Sequence, residues 1–319
     1  MYEVANQKLW TGRTDSLTER SMFRMHQVVQ AIDLSTFNEK QTDLSFGFIG
    51  FKSDEGVRRN QGRIGAAEGP DHVRTALASL PNFLAPSQRF FDVGNICCEG
   101  KNLEEAQQAL GEAVEKMLSL GIFPLIVGGG HEVAYGHYLG AAPQVPAGKT
   151  LGILNIDAHF DLRSYEAEPS SGTMFRQILD GSRRCDYMCI GIQRTGNTQY
   201  LFETADAYGC QYILEEDING SSLGKVRDQI SHFITKHDFI LLTLCCDVLA
   251  ADAAPGVSAP SPFGMEPKLV RAILKHAITF NNILGFDIAE ISPPLDENGK
   301  TVKLGAQMLH EIMSAKGEA

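Results

Sequence analysis

The stretch TLGILNIDAHFDLR, residues 150–163, joins an apolar run to a group of charged side chains. Its first half has the continuous apolarity of a β-strand that is covered on both faces. In an extended chain, the side chains of Asp157, His159 and Asp161 leave the same face. Carboxylates that share a face near a buried strand repel one another and are poorly solvated, and a divalent cation removes both penalties. The stretch therefore predicts a buried strand whose end carries a metal site.

Similar apolar runs are spaced along the rest of the chain, and many end in Gly, Asp or Asn: 44–51, 89–96, 122–130, 187–193, 210–218, 239–249 and 282–292. Segments with helical periodicity lie between most of them, and the clearest is residues 102–121, which carries one apolar stripe. This alternation predicts a parallel sheet, open or closed, with helices on both faces. In such folds, ligands bind at the carboxyl ends of the strands.

The length of 319 residues is ample for a sizeable core. The chain has no internal repeat, low-complexity tract or linker, so we expect residues 1–319 to form one domain. The first 40 residues are predicted to form an N-terminal arm with one helix, from Leu17 to Leu34.

The composition bounds the class of partner. A formal net charge of −11 argues against a nucleic acid or an anionic membrane surface, because both need a basic face, and it favours a small-molecule substrate. No apolar run approaches the roughly 20 residues of a membrane span, and the N-terminus lacks the apolar region of a secretory signal. The seven cysteines are odd in number and four of them form adjacent pairs, which indicates reduced thiols and a cytoplasmic location.

Polar residues also follow three other apolar runs. In IVGGGHE (126–132), His131 comes directly after a glycine turn, a pattern that alone also fits a phosphate cradle or a structural histidine. In LTLCCDVLAADAAPG (242–256), strand alternation places Cys245 and Asp247 on one face and Cys246 on the other. In GFDIAEIS (285–292), Glu290 lies nearest the strand end and is best placed to meet a cationic substrate.

In chain order, the four motifs GGGHE, NIDAHFDLR, LTLCCDVLAADAAPG and GFDIAEIS resemble the signature blocks of the ureohydrolase family, which comprises arginases, agmatinases and formimidoylglutamases. The resemblance covers residues from about 45 to the C-terminus and includes the glycine-rich segment 58–74. GGGHE in place of the more usual GGDHS, together with LWTGRTD (9–15) and SSGTMFRQIL (170–179), is similar to the formimidoylglutamase branch. The resemblance implies a three-layer α/β/α fold with an about eight-stranded, mainly parallel sheet, and a homo-oligomer.

The resemblance also implies two Mn²⁺ ions per chain. His131 and Asp161 would bind one ion and His159 the other, with Asp157 bridging them. Alignment of the third motif without gaps places Cys245 at a second bridging position, where the family has aspartate, and Asp247 at the next ligand position. Sulfur is a softer donor than carboxylate, so we expect weaker Mn²⁺ binding and some tolerance of softer metals.

The reaction implied is hydrolysis of N-formimidoyl-L-glutamate, an intermediate of histidine breakdown, to L-glutamate and formamide, through attack by a metal-bridged hydroxide. Asp247 would transfer the proton and Glu290 would hold the cationic formimidoyl group. The substrate carries two carboxylates, so cationic residues should line the mouth. The candidates are Arg163 first, then Arg176 and Arg194, with Ser171 as a hydroxyl donor.

Two alternatives stay open. The core motifs are shared with guanidino hydrolases of the agmatinase, guanidinobutyrase or arginase type, whose specificity lies in less readable loops. Cys245 and Ala250, which stand where many relatives have aspartate, instead favour a catalytically impaired, metal-binding member of the family.

Overall fold

The computed structural model describes residues 1–166, 168–181 and 185–318. Its strands are β1 Tyr2–Glu3, β2 Val29–Ala31, β3 Ser45–Lys52, β4 Arg89–Cys97, β5 Ile122–Val127, β6 Leu151–Ile156, β7 Cys185–Ile192, β8 Gln211–Leu214, β9 Phe239–Cys245 and β10 Ile283–Ala289. Its α-helices are α1 Glu55–Arg59, α2 Gly69–Ala78, α3 Leu103–Ser119, α4 Val133–Ala141, α5 Met174–Leu179, α6 Gln199–Ala207, α7 Leu223–Lys236, α8 Pro267–Ile278 and α9 Lys300–Glu318.

These ten strands belong to one sheet, whose main path runs β1-β4-β3-β5-β10-β9-β6-β7-β8. The eight strands β3 to β10 pair in parallel throughout. Two short strands extend the β4 edge, β2 in parallel and β1 antiparallel. The predicted sheet of about eight mainly parallel strands is therefore confirmed.

Both faces of the sheet are buried, which explains why the strands are continuous apolar runs in the sequence. Along β6, Leu154 and Ile156 pack into one core that also contains apolar side chains of α2, α7, α8 and α9. Leu151 and Ile153 alternate with them and face a second core, which includes α4 and α5. Helix α3 packs against the same second face, over β3, β4 and β5, so the predicted helix within 102–121 is confirmed.

The predicted helix from Leu17 to Leu34 is wrong. This segment forms two short 3₁₀ turns, at Arg20–Met22 and Met25–Gln27, followed by strand β2. Its backbone is held by partners outside the segment: the N–H of Met25 donates to the carbonyl of Leu80 at 2.9 Å, and Val29 pairs with Phe90 of β4. Tertiary contacts therefore override the local helical periodicity.

The sheet topology sets the position of the site. β5, β10, β9 and β6 are neighbours at the centre of the sheet, and because they are parallel their carboxyl ends meet at one edge. The polar motifs follow these four strands in sequence, so the fold brings them together. Among the described residues, no helix combines the length and apolarity that a membrane crossing needs.

Candidate active site

His131 is delivered by the glycine turn after β5. A side chain at Gly129 would begin 1.8 Å from the carbonyl oxygen of Ser53, so only glycine fits there. The carbonyl of Gly129 accepts a 2.8 Å hydrogen bond from the N–H of Glu290, which follows β10. The turn therefore fixes the position of Glu290 as well as that of His131.

Asp157, His159 and Asp161 follow β6, which ends at Ile156. They do not continue the strand: Asp161 has a left-handed backbone, with φ 51°, and the N–H of His159 donates back to Oδ1 of Asp157 at 2.8 Å. The three side chains still reach one site, but through a tight turn. The expected convergence is therefore observed, whereas the extended-chain reason for it is wrong.

One group of donor atoms surrounds His131. Its Nδ1 lies 2.9 Å from Oδ2 of Asp157 and 3.0 Å from Oδ2 of Asp161. Ligand atoms of His131, Asp157 and Cys245 all lie within 4.8 Å of one another. Imidazole, carboxylate and thiol are metal-ligand types, so this group can hold one cation.

A second group surrounds His159. Its Nδ1 lies 3.1 Å from Oδ2 of Asp247 and 3.6 Å from Oδ1 of Asp157, and ligand atoms of these three residues also lie within 4.8 Å of one another. Asp157 belongs to both groups, with one oxygen toward each. The side-chain atoms Oδ1 of Asp247 and Oε2 of Glu290 are buried without a hydrogen-bond partner among the described residues. The donor set therefore fits two divalent cations that share Asp157.

The titration of these groups reflects their crowding. Burial disfavours the charged form of His131, but hydrogen bonds with Asp157 and Asp161 outweigh it and raise the pKa of His131 well above its usual value. Burial and the neighbouring Asp157 raise the pKa of Asp161 to about 6. Protonation of His131 and Asp161 thus reduces the repulsion between the carboxylates, and a metal cation at the same position would do the same.

The two adjacent cysteines differ in their surroundings. Cys246 packs in the apolar core beside Val248 and Leu249, whereas Cys245 lines the site cavity. Burial, followed by the charge of Asp157, raises the pKa of the Cys245 thiol well above its usual value. The opposite orientation expected for the two side chains is observed. Cys245 joins the group around His131 and not the one around His159, so its bridging role stays a prediction.

A buried chain of hydrogen bonds supports His131 from behind. Nε2 of His131 lies 2.9 Å from Oγ1 of Thr243, and this hydroxyl donates to Oδ1 of Asp287 at 2.6 Å. Oδ2 of Asp287 lies 2.7 Å from Nδ1 of His137. Because the hydroxyl donates to Asp287, it must accept from Nε2–H of His131, which leaves Nδ1 directed at the site.

The site opens into a cavity of about 330 Å³. Members of both donor groups line it, together with Glu290, Arg163 and Ser171. Burial, and next the charge of Asp247, raises the pKa of Glu290 well above its usual value. A cation placed beside Glu290 offsets both effects, so the charge of this carboxyl is coupled to the binding of a cation.

Arg176 and Arg194 do not line the cavity. Nη1 of Arg176 donates to the hydroxyl of Tyr200 at 2.8 Å. The Arg194 side chain is 63% exposed, and its Nε lies 2.9 Å from Oε1 of Glu216. Their positions argue against the substrate contacts predicted for these two arginines, since other partners hold both side chains away from the cavity.

Sequence reasoning missed a second wall of the cavity. It is formed by the loop after α1, with Asn60, Gln61 and Arg63, and by Ser258, whose hydroxyl accepts a 2.8 Å hydrogen bond from the N–H of Arg63. The sequence feature that could have indicated this wall is the glycine-rich stretch RRNQGRIG. Its residues resemble the family, but they do not show by themselves that the loop lies at the cavity.

Glu132, the last residue of GGGHE, holds this wall in place. Its Oε1 accepts hydrogen bonds from the N–H of Gly56 at 3.0 Å and from the Ser53 hydroxyl at 3.1 Å. The carbonyl of Gly56 in turn accepts from the N–H of Ser171 at 3.1 Å. Burial raises the pKa of Glu132 to about 7. Glu132 therefore links the glycine turn that carries His131 to the segment of Gly56 and, through Gly56, to the segment of Ser171.

Comparisons with known proteins agree on one family. A model of the arginase family matches residues 44–315. The formimidoylglutamase of Geobacillus sp. (strain WCH70) is 50% identical over 313 residues, which cover 98% of this chain and 96% of that protein. The formimidoylglutamase of Lysinibacillus sphaericus (strain C3-41) is 49% identical over 318 residues, covering 98% of both.

Solved structures share the fold at lower identity. Formimidoylglutamase from Bacillus subtilis superposes with a TM-score of 0.82 at 23% identity, over 95% of this chain and 94% of that one. Formiminoglutamase from Trypanosoma cruzi, solved with Mn²⁺, gives a TM-score of 0.77 at 24% identity, over 90% and 98%. The three-layer fold expected from the four motifs is therefore confirmed.

Proposed function

The chain belongs to the arginase family, and on that premise we propose that it hydrolyses N-formimidoyl-L-glutamate to L-glutamate and formamide, a step of histidine degradation. The observation that carries the proposal is a cavity lined by groups of opposite charge. Side chains of two metal-ligand groups line it together with Glu290, and Arg163 also lines it. A substrate with a cationic formimidoyl group and two carboxylates matches this division, whereas the purely cationic agmatine does not.

Two Mn²⁺ ions are the proposed cofactor. His131 and Asp161 would hold one ion, His159 and Asp247 the other, and Asp157 would contribute to both. When bound, the ions lower the pKa of water and orient it as the nucleophile. The related formiminoglutamase of Trypanosoma cruzi was solved with Mn²⁺, and the donor set of this chain supports the same metal here.

Glu290 is the proposed ligand of the formimidoyl group. It is buried, with 5% of its surface exposed, and its backbone is tied to Gly129. Oε2 makes no hydrogen bond within the described part of the chain, so it can accept one from an N–H of the substrate. Such a charge-assisted bond is stronger than a neutral one and holds the reacting carbon against the donor groups.

Asp247 is the proposed proton carrier. Its Oδ2 faces His159 at 3.1 Å, while Oδ1 has no partner among the described residues. One oxygen is thus engaged in the cluster and the other is available to take a proton from water. Transfer of that proton to the leaving nitrogen releases glutamate as a neutral amine and avoids an unstable amide anion.

Arg163 and Ser171 are the proposed contacts of the glutamate part. Both line the cavity, and the N–H of Arg163 donates to the carbonyl of Gly172 at 2.9 Å, which joins their two segments. Arginine suits this task because its planar guanidinium can donate two parallel hydrogen bonds to one carboxylate.

An activity assay tests the substrate. The Mn²⁺-loaded protein is incubated with N-formimidoylglutamate, arginine, agmatine and guanidinobutyrate, and we expect the first to give the highest kcat/KM. Arg163→Ala should mainly raise KM, because an anchor of a remote carboxylate contributes little to the chemical step. Arg194→Ala is the matched control, since that arginine is held by Glu216 outside the cavity. Preferential turnover of a guanidino compound would contradict the proposal.

Metal stoichiometry tests the catalytically impaired alternative. We expect two Mn²⁺ per chain at saturation, measured by elemental analysis after gel filtration. Fewer than two ions together with no turnover would favour a metal-binding protein without activity. The homo-oligomeric state and the cytoplasmic location stay predictions, which the same gel filtration and cell fractionation can check.

A further inference from the structure

Arg63 lines the same cavity as Arg163. It lies in the loop between α1 and α2, and the cavity is also lined there by Ser258. Among the described residues that line the cavity, the basic side chains besides the histidines of the donor groups are Arg63 and Arg163. The number of arginines at the wall therefore equals the number of carboxylates on the proposed substrate.

The guanidinium of Arg63 is fixed in place by neutral partners. Its Nε donates to the carbonyl of Ser258 at 2.9 Å and its Nη2 to the carbonyl of Val257 at 2.8 Å. The backbone N–H of Arg63 also donates to the hydroxyl of Ser258 at 2.8 Å. Because these bonds hold the side chain in one geometry, binding of a ligand costs little further side-chain entropy of Arg63.

The charge of Arg63 has no counterion among the described residues. No carboxylate lies within 4 Å of it in the described part of the chain, whereas Arg59 of the same segment lies 2.9 Å from Glu55 and 2.6 Å from Glu104. Backbone carbonyls bind a guanidinium without neutralising it, and Nη1 makes no hydrogen bond to the described residues. A fixed cation that lines a cavity, with no carboxylate partner and one unbonded guanidinium nitrogen among the described residues, is suited to bind an anion.

We propose that Arg63 binds one of the two carboxylates of the substrate and that Arg163 binds the other. The inference rests on the proposed function and adds a specificity residue to it. Two arginines select a dicarboxylate, because an amidine or guanidine that lacks one carboxylate leaves one arginine without an anionic partner. Charged hydrogen bonds of this kind each change affinity by about 10- to 100-fold.

Three matched substrates test the inference. N-formimidoylglutamate has both carboxylates, N-formimidoyl-4-aminobutyrate lacks the one next to the reacting nitrogen, and N-formimidoyl-2-aminobutyrate lacks the terminal one. Arg63→Gln keeps a donor for the carbonyls of Val257 and Ser258 but removes the charge. We expect it to lower kcat/KM for the full substrate about 10- to 100-fold, mainly through KM, and to have little effect on whichever analogue lacks the carboxylate that Arg63 binds.

The same experiment contains its controls. Arg163→Gln should show the opposite preference between the two analogues, and Arg271→Ala, a surface arginine 3.4 Å from Glu311, should leave all three substrates unchanged. An equal loss on all three substrates, or no loss, after Arg63→Gln would overturn the inference. Failure of the wild-type protein to prefer N-formimidoylglutamate would instead refute the proposed function, so the two failures are distinct.

Discussion

Thr243, on the central strand β9, and His131, after the glycine turn, meet at 2.9 Å, hydroxyl to Nε2. Thr243 is also the register partner of Asp287 on β10, so the sheet itself sets the distance of its hydroxyl from the carboxylate. The contact thus ties the ring orientation of a candidate metal ligand to the pairing of two strands in the core.

Removal of that hydroxyl should weaken metal binding. Thr243→Ala leaves Nε2–H of His131 and a carboxylate oxygen of Asp287 without their shared partner, and changes of this kind reduce metal affinity about 10- to 100-fold. Thr243→Ser should restore most of it. Mn²⁺ titration calorimetry measures both variants, with Thr235→Ala on the exposed face of α7 as the control. Wild-type affinity in Thr243→Ala would show that the chain of hydrogen bonds does not position His131.

Cys245→Asp should tighten Mn²⁺ binding. A carboxylate is a harder donor than a thiol and carries a charge, whereas burial keeps the Cys245 thiol protonated by raising its pKa. Cys246→Ala is the matched control, because the neighbouring side chain packs in the apolar core. Equal Mn²⁺ affinity and equal activity in wild type and Cys245→Asp would exclude Cys245 as a ligand. Preference of the wild type for Zn²⁺ or Co²⁺ would support sulfur ligation.

Glu132 should control KM through the loops it holds. Glu132→Ala removes the acceptor for the Gly56 N–H and frees the segment that carries Arg63, so we expect KM to rise several-fold more than kcat falls. Glu132→Gln keeps the acceptor oxygen and the shape, and it should remain close to wild type. Glu112→Ala on the exposed surface of α3 is the control. A loss of kcat alone in Glu132→Ala would indicate a role in chemistry instead.

Glu55 should stabilise the fold only above acidic pH. A 2.6 Å hydrogen bond from Arg58 and a 2.9 Å bond from Arg59 lower its pKa from 4.5 to about 2. A depressed pKa gives stability that is present above the unfolded value and is lost as pH falls toward the folded value. Glu55→Gln should therefore cost about 1 kcal/mol at neutral pH, after allowance for the half-exposed Arg58, and much less near pH 3. Urea unfolding of the metal-free protein measures the difference, and a pH-independent value would contradict the assignment.

The strand ends could be predicted because burial leaves a strong mark on the sequence. The runs TLGILNI and IFPLIV are apolar over most of their length. Asp157 and His131, which follow them, therefore stand out as residues that the fold itself does not need. Their ligand roles stay predictions, but their convergence is a property of the parallel sheet. The roles of Thr243 and Asp287 could not be predicted, because a hydroxyl and a carboxylate inside a strand also fit an ordinary structural hydrogen bond.

The cavity wall could not be predicted, because its geometry depends on loops. Nothing near Arg194 in the sequence reveals that Glu216 neutralises it, and nothing near Arg63 reveals that the carbonyl of Val257 orients it. These partners lie far away along the chain and become neighbours only after folding. The helix predicted around Met25 was wrong for the same reason, since the backbone partner of Met25 is the distant Leu80.

Asp161 and Glu290 both keep left-handed backbones, with φ 51° and 66°. For a residue with a Cβ atom such a conformation costs roughly 1 kcal/mol, which glycine does not incur and asparagine tolerates better. Laboratory evolution of this chain for heat resistance alone would therefore favour glycine or asparagine at these two positions. Given the roles proposed for Asp161 and Glu290, the resulting protein would be more stable but inactive, so any such selection has to be coupled to turnover.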